Sequence, residues 1–171
     1  MKLKVILAAL ALTATSIAFG QDSTQLKRTP YKLFVAVDNK TFYEEDIKAT
    51  AYVLPNKAIQ LYPGETVFVE IDEENGVIKA VTAVEKNVNP QKTLTISFTQ
   101  NVKKKTHEST MLKIGNPFSQ ELIYSSRIFL LDHHKWVATN VLPVPARLSA
   151  YESWPDIITS IALGNWELKR E

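Results

Sequence analysis

The sequence predicts an all-β domain, an antiparallel immunoglobulin-like β-sandwich. Short apolar runs alternate with polar residues at a period of two, and turn residues separate these runs. The clearest run is 93–99, where Leu94, Ile96 and Phe98 alternate with four hydroxyl side chains. This alternation is expected of a strand with one buried face. Segments with a helical period are few, which favours sheets over mixed architectures.

The first twenty residues have the three parts of a secretory signal peptide. Lys2 and Lys4 form a positive n-region, which an apolar stretch follows over residues 5–12. Residues 18–20, Ala-Phe-Gly, resemble the small-residue site that signal peptidase cleaves. Residues 1–20 are therefore predicted to direct export, and the protein is expected to be periplasmic or secreted.

The mature chain is predicted to start near Gln21, with a flexible polar lead-in over 21–29 and a single domain over 30–171. A domain of this size buries roughly 68–70% of the surface that its unfolded chain exposes, which supplies a good-sized core. The sequence has no cysteine, so disulfides, thiolate catalysis and Cys-ligated metals are excluded. A lipoprotein-type anchor also needs a cysteine, so no lipid anchor is expected.

Ten apolar runs in the domain are candidate strands. They are 33–37, 49–54, 58–61, 66–72, 77–84, 93–99, 110–114, 122–124, 127–131 and 136–142. Asn75-Gly76 separates two of these runs and predicts a tight hairpin, because both residues tolerate a positive φ.

The segment 153–164 has two interpretations. Pro155 near its start and Gly164 at its end suit a short C-terminal helix. Ile157, Ile158, Thr159 and Ile161 are β-branched and stiff at χ1, which favours a loop leading into a last strand. The second interpretation is the preferred one.

Two stretches resemble exported immunoglobulin-like β-sandwich domains of bacteria. Residues 58–69, Ala-Ile-Gln-Leu-Tyr-Pro-Gly-Glu-Thr-Val-Phe-Val, resemble a short first strand, a Pro-Gly-Glu turn and a second strand. Residues 112–118, Leu-Lys-Ile-Gly-Asn-Pro-Phe, resemble a strand that ends in an Asn-Pro turn. The resemblance covers a fraction of the chain, lacks the core cysteine pair of antibody domains, and implies a fold without a function.

The charge balance argues against two classes of partner. Without Lys2 and Lys4, 18 basic residues face 18 acidic ones, so the mature domain is formally neutral. Proteins that bind nucleic acids or anionic membranes normally carry a basic surplus. After the leader, no stretch is long and apolar enough to span a bilayer. We therefore expect neither nucleic acid nor a membrane span.

His133 and His134, which follow Asp132, are the densest cluster of metal-ligand types. Neighbouring residues on a strand point to opposite faces, and this tripeptide falls between two apolar runs. An exposed hairpin turn is therefore favoured over a metal site, and both histidines are weak metal candidates. No cofactor is expected.

Three further charged segments are also expected to be solvated turns. They are 44–46, 72–76 and 103–107, of which the second lacks the ligand register of a calcium loop and the third lacks interleaved aromatic residues. The sequence has no Gly-x-Ser-x-Gly elbow and no glycine-rich phosphate loop, so an enzyme is not predicted.

The aromatic residues near the C-terminus are the most informative candidates for binding. Trp136 and Trp166 are expected in the core, the first on a central strand and the second on the last. Tyr151 and Trp154 lie in a connection, 143–156, that starts with two prolines. Loops on a rigid scaffold commonly carry sites, so these two are the predicted binding residues.

Together these features predict a non-catalytic exported domain that binds a protein partner or an envelope component. Sandwich edges or the connection 143–156 are expected to form the contact, for instance by strand addition. One alternative is a glycan-binding module that stacks Tyr151 and Trp154 on sugar rings. Another is an inhibitor of a secreted hydrolase that presents residues 132–134 or the lysine loop to a cleft.

Overall fold

The structure is a computed structural model in which residues 25–169 are described, and those residues form strands and no helix. The predicted antiparallel β-sandwich is confirmed. The strands are β1 (Tyr31–Ala36), β2 (Phe42–Ile47), β3 (Ile59–Leu61), β4 (Glu65–Glu74), β5 (Val77–Val84), β6 (Thr93–Lys103), β7 (Thr106–Gly115), β8 (Leu122–Leu130), β9 (Lys135–Thr139), β10 (Ser149–Trp154) and β11 (Ile158–Leu168).

Two antiparallel sheets form the sandwich. One has the strand order β10-β7-β6-β4-β5, and the other has the order β3-β11-β8-β9. Leu94, Ile96 and Phe98 of β6 are fully buried between them, as their alternation predicts. Ile161 and Leu163 of β11 meet them from the opposite sheet. The core is therefore made by the inward-facing positions of both sheets.

Strands β1 and β2 form a separate hairpin that joins neither sandwich sheet. Leu33, Val35 and Ile47 on its inner face are buried in a small cluster of their own. Tyr62 and Ile157, from the connections before β4 and before β11, pack against this cluster. The hairpin therefore covers one end of the sandwich.

The expectation of an acidic turn at 44–46 is wrong, because these residues lie within β2. Phe42, Glu44 and Asp46 are exposed, whereas Tyr43 and Ile47 face the hairpin cluster. Inward-facing and outward-facing residues alternate in this segment, but two of its outward positions carry the carboxylates Glu44 and Asp46 instead of neutral polar side chains. Charged residues are common on such edge strands.

The predicted strand at 49–54 is also wrong. Only isolated bridges form there, Lys27 with Ala51 and Val53 with Ile59. The Thr50 carbonyl accepts a hydrogen bond from the Arg28 backbone N–H at 3.0 Å. The backbone groups of this segment thus bond partly to the chain that precedes β1 and partly to residues 58–60, without forming a regular ladder.

The two predicted runs at 122–124 and 127–131 merge into the single strand β8, because Ser125 and Ser126 continue the ladder. The alternative of a short helix within 153–164 is wrong. This segment is the end of β10, a short turn, and most of β11, as its β-branched residues favour.

The flexible lead-in predicted for 21–29 stays a prediction, although Arg28 within it is only 2% exposed. The signal peptide and its cleavage site lie outside the described residues. Within residues 25–169, no helix is long and apolar enough to cross a membrane.

Replacing Phe98 by alanine tests the core. Phe98→Ala is expected to lower the free energy of unfolding by about 3–5 kcal/mol, because it leaves a cavity between the sheets. Val88→Ala, at a position that is 70% exposed, is the control and should change it by no more than about 0.5 kcal/mol. Urea unfolding followed by tryptophan fluorescence measures both. Equal effects of the two changes would contradict this assignment of the core.

Candidate functional site

Tyr151 and Trp154, the predicted binding residues, lie on strand β10 and not in a loop. Three positions separate them along the strand, so their side chains point to opposite faces. The Tyr151 ring is 59% exposed on the outer face, and the Lys113 ammonium nitrogen lies 5.4 Å from its centroid. Trp154 packs against the core, and its indole N–H donates to Thr139 Oγ1 at 3.1 Å. The structure does not bring the two rings together, so glycan stacking stays a prediction for Tyr151 alone.

The other two tryptophans are only partly buried. Trp136 lies on β9, an edge strand, so its expected place on a central strand is wrong. Its ring meets Phe129 edge-on at a centroid distance of 5.6 Å. Trp166 on β11 stacks on Tyr124 at 5.6 Å, and its indole N–H donates to the Lys57 carbonyl at 3.1 Å.

His133 and His134 lie in the turn between β8 and β9, and the predicted hairpin there is confirmed. Both side chains are exposed, and His134 has a φ of 49°. Among the described residues, no three His, Cys, Asp or Glu side chains form a group that could hold a metal ion.

The outer face of the β1–β2 hairpin carries two exposed aromatic rings that the sequence did not single out. Phe34 is 57% exposed and Phe42 is 46% exposed. Phe34 lies opposite Glu44, and Ala36 lies opposite Phe42, so both rings are on one face at diagonal positions. We call this surface, formed by Lys32, Phe34, Phe42, Glu44 and Asp46, the hairpin face.

Charged side chains border the two rings. The Lys32 ammonium lies 3.3 Å from an Asp46 carboxylate oxygen and 3.8 Å from one of Glu44. One cation thus serves two carboxylates, and the hairpin face carries an uncompensated negative charge. All three side chains are about half exposed or more, so solvent screens these interactions.

A glutamine fixes the hairpin to the sandwich. Gln100 Oε1 accepts from the Ala36 backbone N–H at 2.9 Å, and Gln100 Nε2 donates to the Ala36 carbonyl at 2.8 Å. Nε2 also lies 2.8 Å from His107 Nδ1, and His107 Nε2 lies 3.0 Å from the Pro155 carbonyl. Since that carbonyl can only accept, the geometry matches a proton on Nε2 and an accepting Nδ1.

A buried ion pair lies beside the hairpin. Arg28 Nε donates to Glu65 Oε1 at 2.8 Å, and Arg28 Nη2 donates to the Gln60 carbonyl at 2.8 Å. The guanidinium carbon lies 4.5 Å from the Tyr52 ring centroid and 5.1 Å from that of Tyr62. Two cation–π contacts and the hydrogen bonds of the guanidinium therefore compensate this buried charge.

A cavity of about 450 Å³ opens next to this pair, lined in part by Tyr31, Tyr52, Pro63 and Thr66. Glu65 also lines this cavity, and its carboxylate accepts from the Tyr62 backbone N–H at 2.9 Å as well as from Arg28. A second cavity, of about 380 Å³, is lined by polar residues that include Lys92 and Asp72. These two form an ion pair at 3.1 Å.

Burial raises the pKa of several tyrosines around the ion pair and the hairpin. For Tyr31 the loss of solvent is the main cause, and the negative charge of Glu65 adds to it. The Tyr31 hydroxyl is itself buried without a partner of suitable hydrogen-bond geometry among the described residues. Burial together with the hydrogen bond to Glu45 raises the pKa of Tyr43 to about 12.

No family model, curated protein or solved structure matches the chain. The resemblance to exported immunoglobulin-like domains therefore stays a prediction. The assignment of a site depends on the geometry alone.

The pKa of Tyr43 predicts how stability depends on alkaline pH. The unfolded tyrosine loses its proton near pH 10, whereas the folded one keeps it to about 12. Its contribution to the free energy of unfolding is thus complete below about pH 10 and is lost as the pH rises to about 12. Urea unfolding over this range should give a smaller decline for Tyr43→Phe than for the wild type. Parallel declines would exclude a role for Tyr43.

Because the Arg28–Glu65 ion pair is buried, removing one partner should lower the free energy of unfolding more than removing both. Arg28→Met should lower the free energy of unfolding by about 3–5 kcal/mol, because the Glu65 carboxylate stays buried without its cation. Arg28→Met/Glu65→Leu should recover part of this loss. Lys32→Met, at an exposed ion pair, is the control and should cost no more than about 1 kcal/mol. A double variant less stable than Arg28→Met would contradict the proposed balance of charges.

Proposed function

We propose that this protein is an exported, non-catalytic domain that binds another protein through the hairpin face. The observation that carries the proposal is the joint exposure of Phe34 and Phe42 on one side of a hairpin. Export follows from the predicted signal peptide. The proposed contact lies on the β1–β2 hairpin, whereas Tyr151 and Trp154 lie on β10.

The energetic argument concerns apolar surface left in water. Full burial of a phenylalanine side chain contributes roughly 1.5–3 kcal/mol relative to exposure. Phe34 is 57% exposed and Phe42 is 46% exposed, so only about half of this contribution is realised within the domain. A partner that covers both rings would gain the remainder. Aromatic anchors bordered by charged residues are typical of protein-binding surfaces.

Two other exposed apolar side chains, Val88 and Leu142, lie in connections, and the ring of Trp136 on β9 packs edge-on against Phe129. Val88 is 70% exposed in the connection between β5 and β6, and Leu142 is 72% exposed in the connection between β9 and β10. Single apolar residues of this kind are ordinary on protein surfaces. The two rings of the hairpin face instead lie on regular strands, where the backbone holds them at fixed positions.

The proposal that the domain is not catalytic is supported by the engagement of its polar clusters. Glu65 is held by Arg28 and by the Tyr62 backbone, and Lys92 is held by Glu70 and Asp72. In the described cavities these groups compensate one another. Glu65 and Lys92 therefore each have charged or hydrogen-bonding partners within the domain.

The test replaces the two rings and keeps the fold. Phe34→Ser/Phe42→Ser should retain the unfolding midpoint to within a few degrees, because both side chains are exposed. It should also lose at least about nine-tenths of the partner captured by photo-crosslinking from an envelope extract, as expected when two hot-spot residues are removed. Leu142→Ser is the matched control for a lost exposed apolar side chain and should capture the same partner as the wild type.

Quantitative mass spectrometry of the crosslinked species measures the outcome. Unchanged capture by the double variant, with its fold intact by circular dichroism, would exclude the hairpin face as the contact surface.

A further inference from the structure

We infer that the hairpin face takes an extended strand from the partner protein, with basic side chains at alternate positions, added to the open edge of β2. The inference rests on the proposed function and names the chemistry of the partner. Its three supports are the backbone groups along β2, the charge of the hairpin face, and the side-chain contacts that cross the other edges.

The backbone of β2 presents a regular set of hydrogen-bonding groups. The Val37 N–H donates to the Thr41 carbonyl at 3.0 Å, so the N–H of this position points toward β2. By alternation, Phe42, Glu44 and Asp46 direct their N–H and C=O groups away from β1. No described strand pairs with that edge.

The same alternation is visible on the other side of the hairpin. Ala36, one position from Val37, turns both its N–H and its carbonyl away from β2, where Gln100 binds them. A side-chain amide thus occupies the edge of β1 at this position. The edge of β2 has no equivalent partner among the described residues, so an added strand would satisfy its backbone groups.

Single side-chain hydrogen bonds cross between the two sheets at the other edges of the sandwich. Trp154 of β10 donates to Thr139 of β9, and the Glu152 carboxylate accepts from the Leu142 N–H at 2.7 Å. These contacts join the two sheets along one side. On the opposite side, Lys57 Nζ donates to the Ile78 carbonyl at 3.1 Å. The edge of β2 is the described edge that lies beside the two exposed rings and the carboxylates of the hairpin face.

The charges of the hairpin face select the side chains of that strand. An added strand places every second side chain beside Phe42, Glu44 and Asp46. Glu44 and Asp46 share the single cation of Lys32, so a further basic residue opposite each one compensates the remaining negative charge. An apolar residue opposite Phe42 covers its ring.

The pairing of the added strand with β2 defines the order of side chains expected in the partner. In an antiparallel partner the order from N- to C-terminus is basic–x–basic–x–apolar, where x faces the inner side of the hairpin. In a parallel partner the order is reversed. Main-chain hydrogen bonds supply affinity in this mode, and the alternate side chains supply specificity.

A synthetic peptide tests the inference. The probe is acetyl-Thr-Lys-Thr-Lys-Thr-Leu-Thr-amide, titrated into the ¹⁵N-labelled protein and followed by NMR. We expect amide shifts concentrated at Phe42, Glu44 and Asp46. We also expect binding at least about tenfold tighter than that of the same peptide with glutamates in place of its lysines. Binding should weaken with added salt, because the charges are exposed.

Two controls separate strand addition from simple attraction of charges. A peptide N-methylated on the amides that face β2 keeps its lysines but cannot donate, and its binding should be lost. The variant Glu44→Lys/Asp46→Lys should instead prefer the glutamate peptide. Glu85→Lys/Glu167→Lys makes the same change of charge at exposed positions outside the hairpin, and it should keep the wild-type preference.

Equal binding of the two peptides, binding of the N-methylated peptide, or shifts centred outside the hairpin would each overturn the inference. The proposed function is tested separately. If the peptides fail while Phe34→Ser/Phe42→Ser still loses its partner, the hairpin face is the contact but does not add a strand. If the peptides bind and that variant keeps its partner, the proposed function is wrong and strand addition at β2 remains.

Discussion

The buried pair of Arg28 and Glu65 is the interaction on which the arrangement of the N-terminal third depends. Arg28 reaches Thr50, the Gln60 carbonyl on β3 and Glu65 at the start of β4, so one side chain joins segments that no continuous ladder connects. It thereby positions the chain that leads into β1. A buried ion pair gives little net stability compared with apolar packing, but the removal of one partner is severe. Its main effect here is to specify where the hairpin begins.

That position gives the β1–β2 hairpin two different faces. Its inner face contributes Leu33, Val35 and Ile47 to the closure of the sandwich end, and Gln100 fixes the Ala36 backbone. On its outer face Phe34 and Phe42 stay about half exposed, and no described strand pairs with the edge of β2. The exposure of Phe34 and Phe42 is thus a consequence of the hairpin lying outside both sheets, and this exposure is what makes a partner protein the preferred explanation.

Much of the sandwich could be predicted because the alternation of apolar side chains reports burial directly. The segment 77–84 and the turn at Asn75-Gly76 match the structure, and Leu94, Ile96 and Phe98 lie in the core as expected. Prediction failed where a neighbour in space replaced the regular pattern. Residues 49–54 are apolar enough for a strand, but Arg28 binds the Thr50 and Ala51 carbonyls. Residues 44–46 are predicted to be a turn because all three are carboxylates, although they lie within β2.

The sequence by itself determined the all-β class, most strand positions, the absence of disulfides and the predicted export signal, since these depend on composition and on local periodicity. Only the tertiary structure decided which faces meet solvent. It separated Tyr151 from Trp154, because an odd spacing on a strand sends two side chains to opposite faces. It also exposed Phe34, because that depends on the hairpin not joining a sheet. Phe34 alternates with the buried Leu33 and Val35, so the local sequence indicates that its side chain faces outward. Only the packing shows whether another layer covers that side chain.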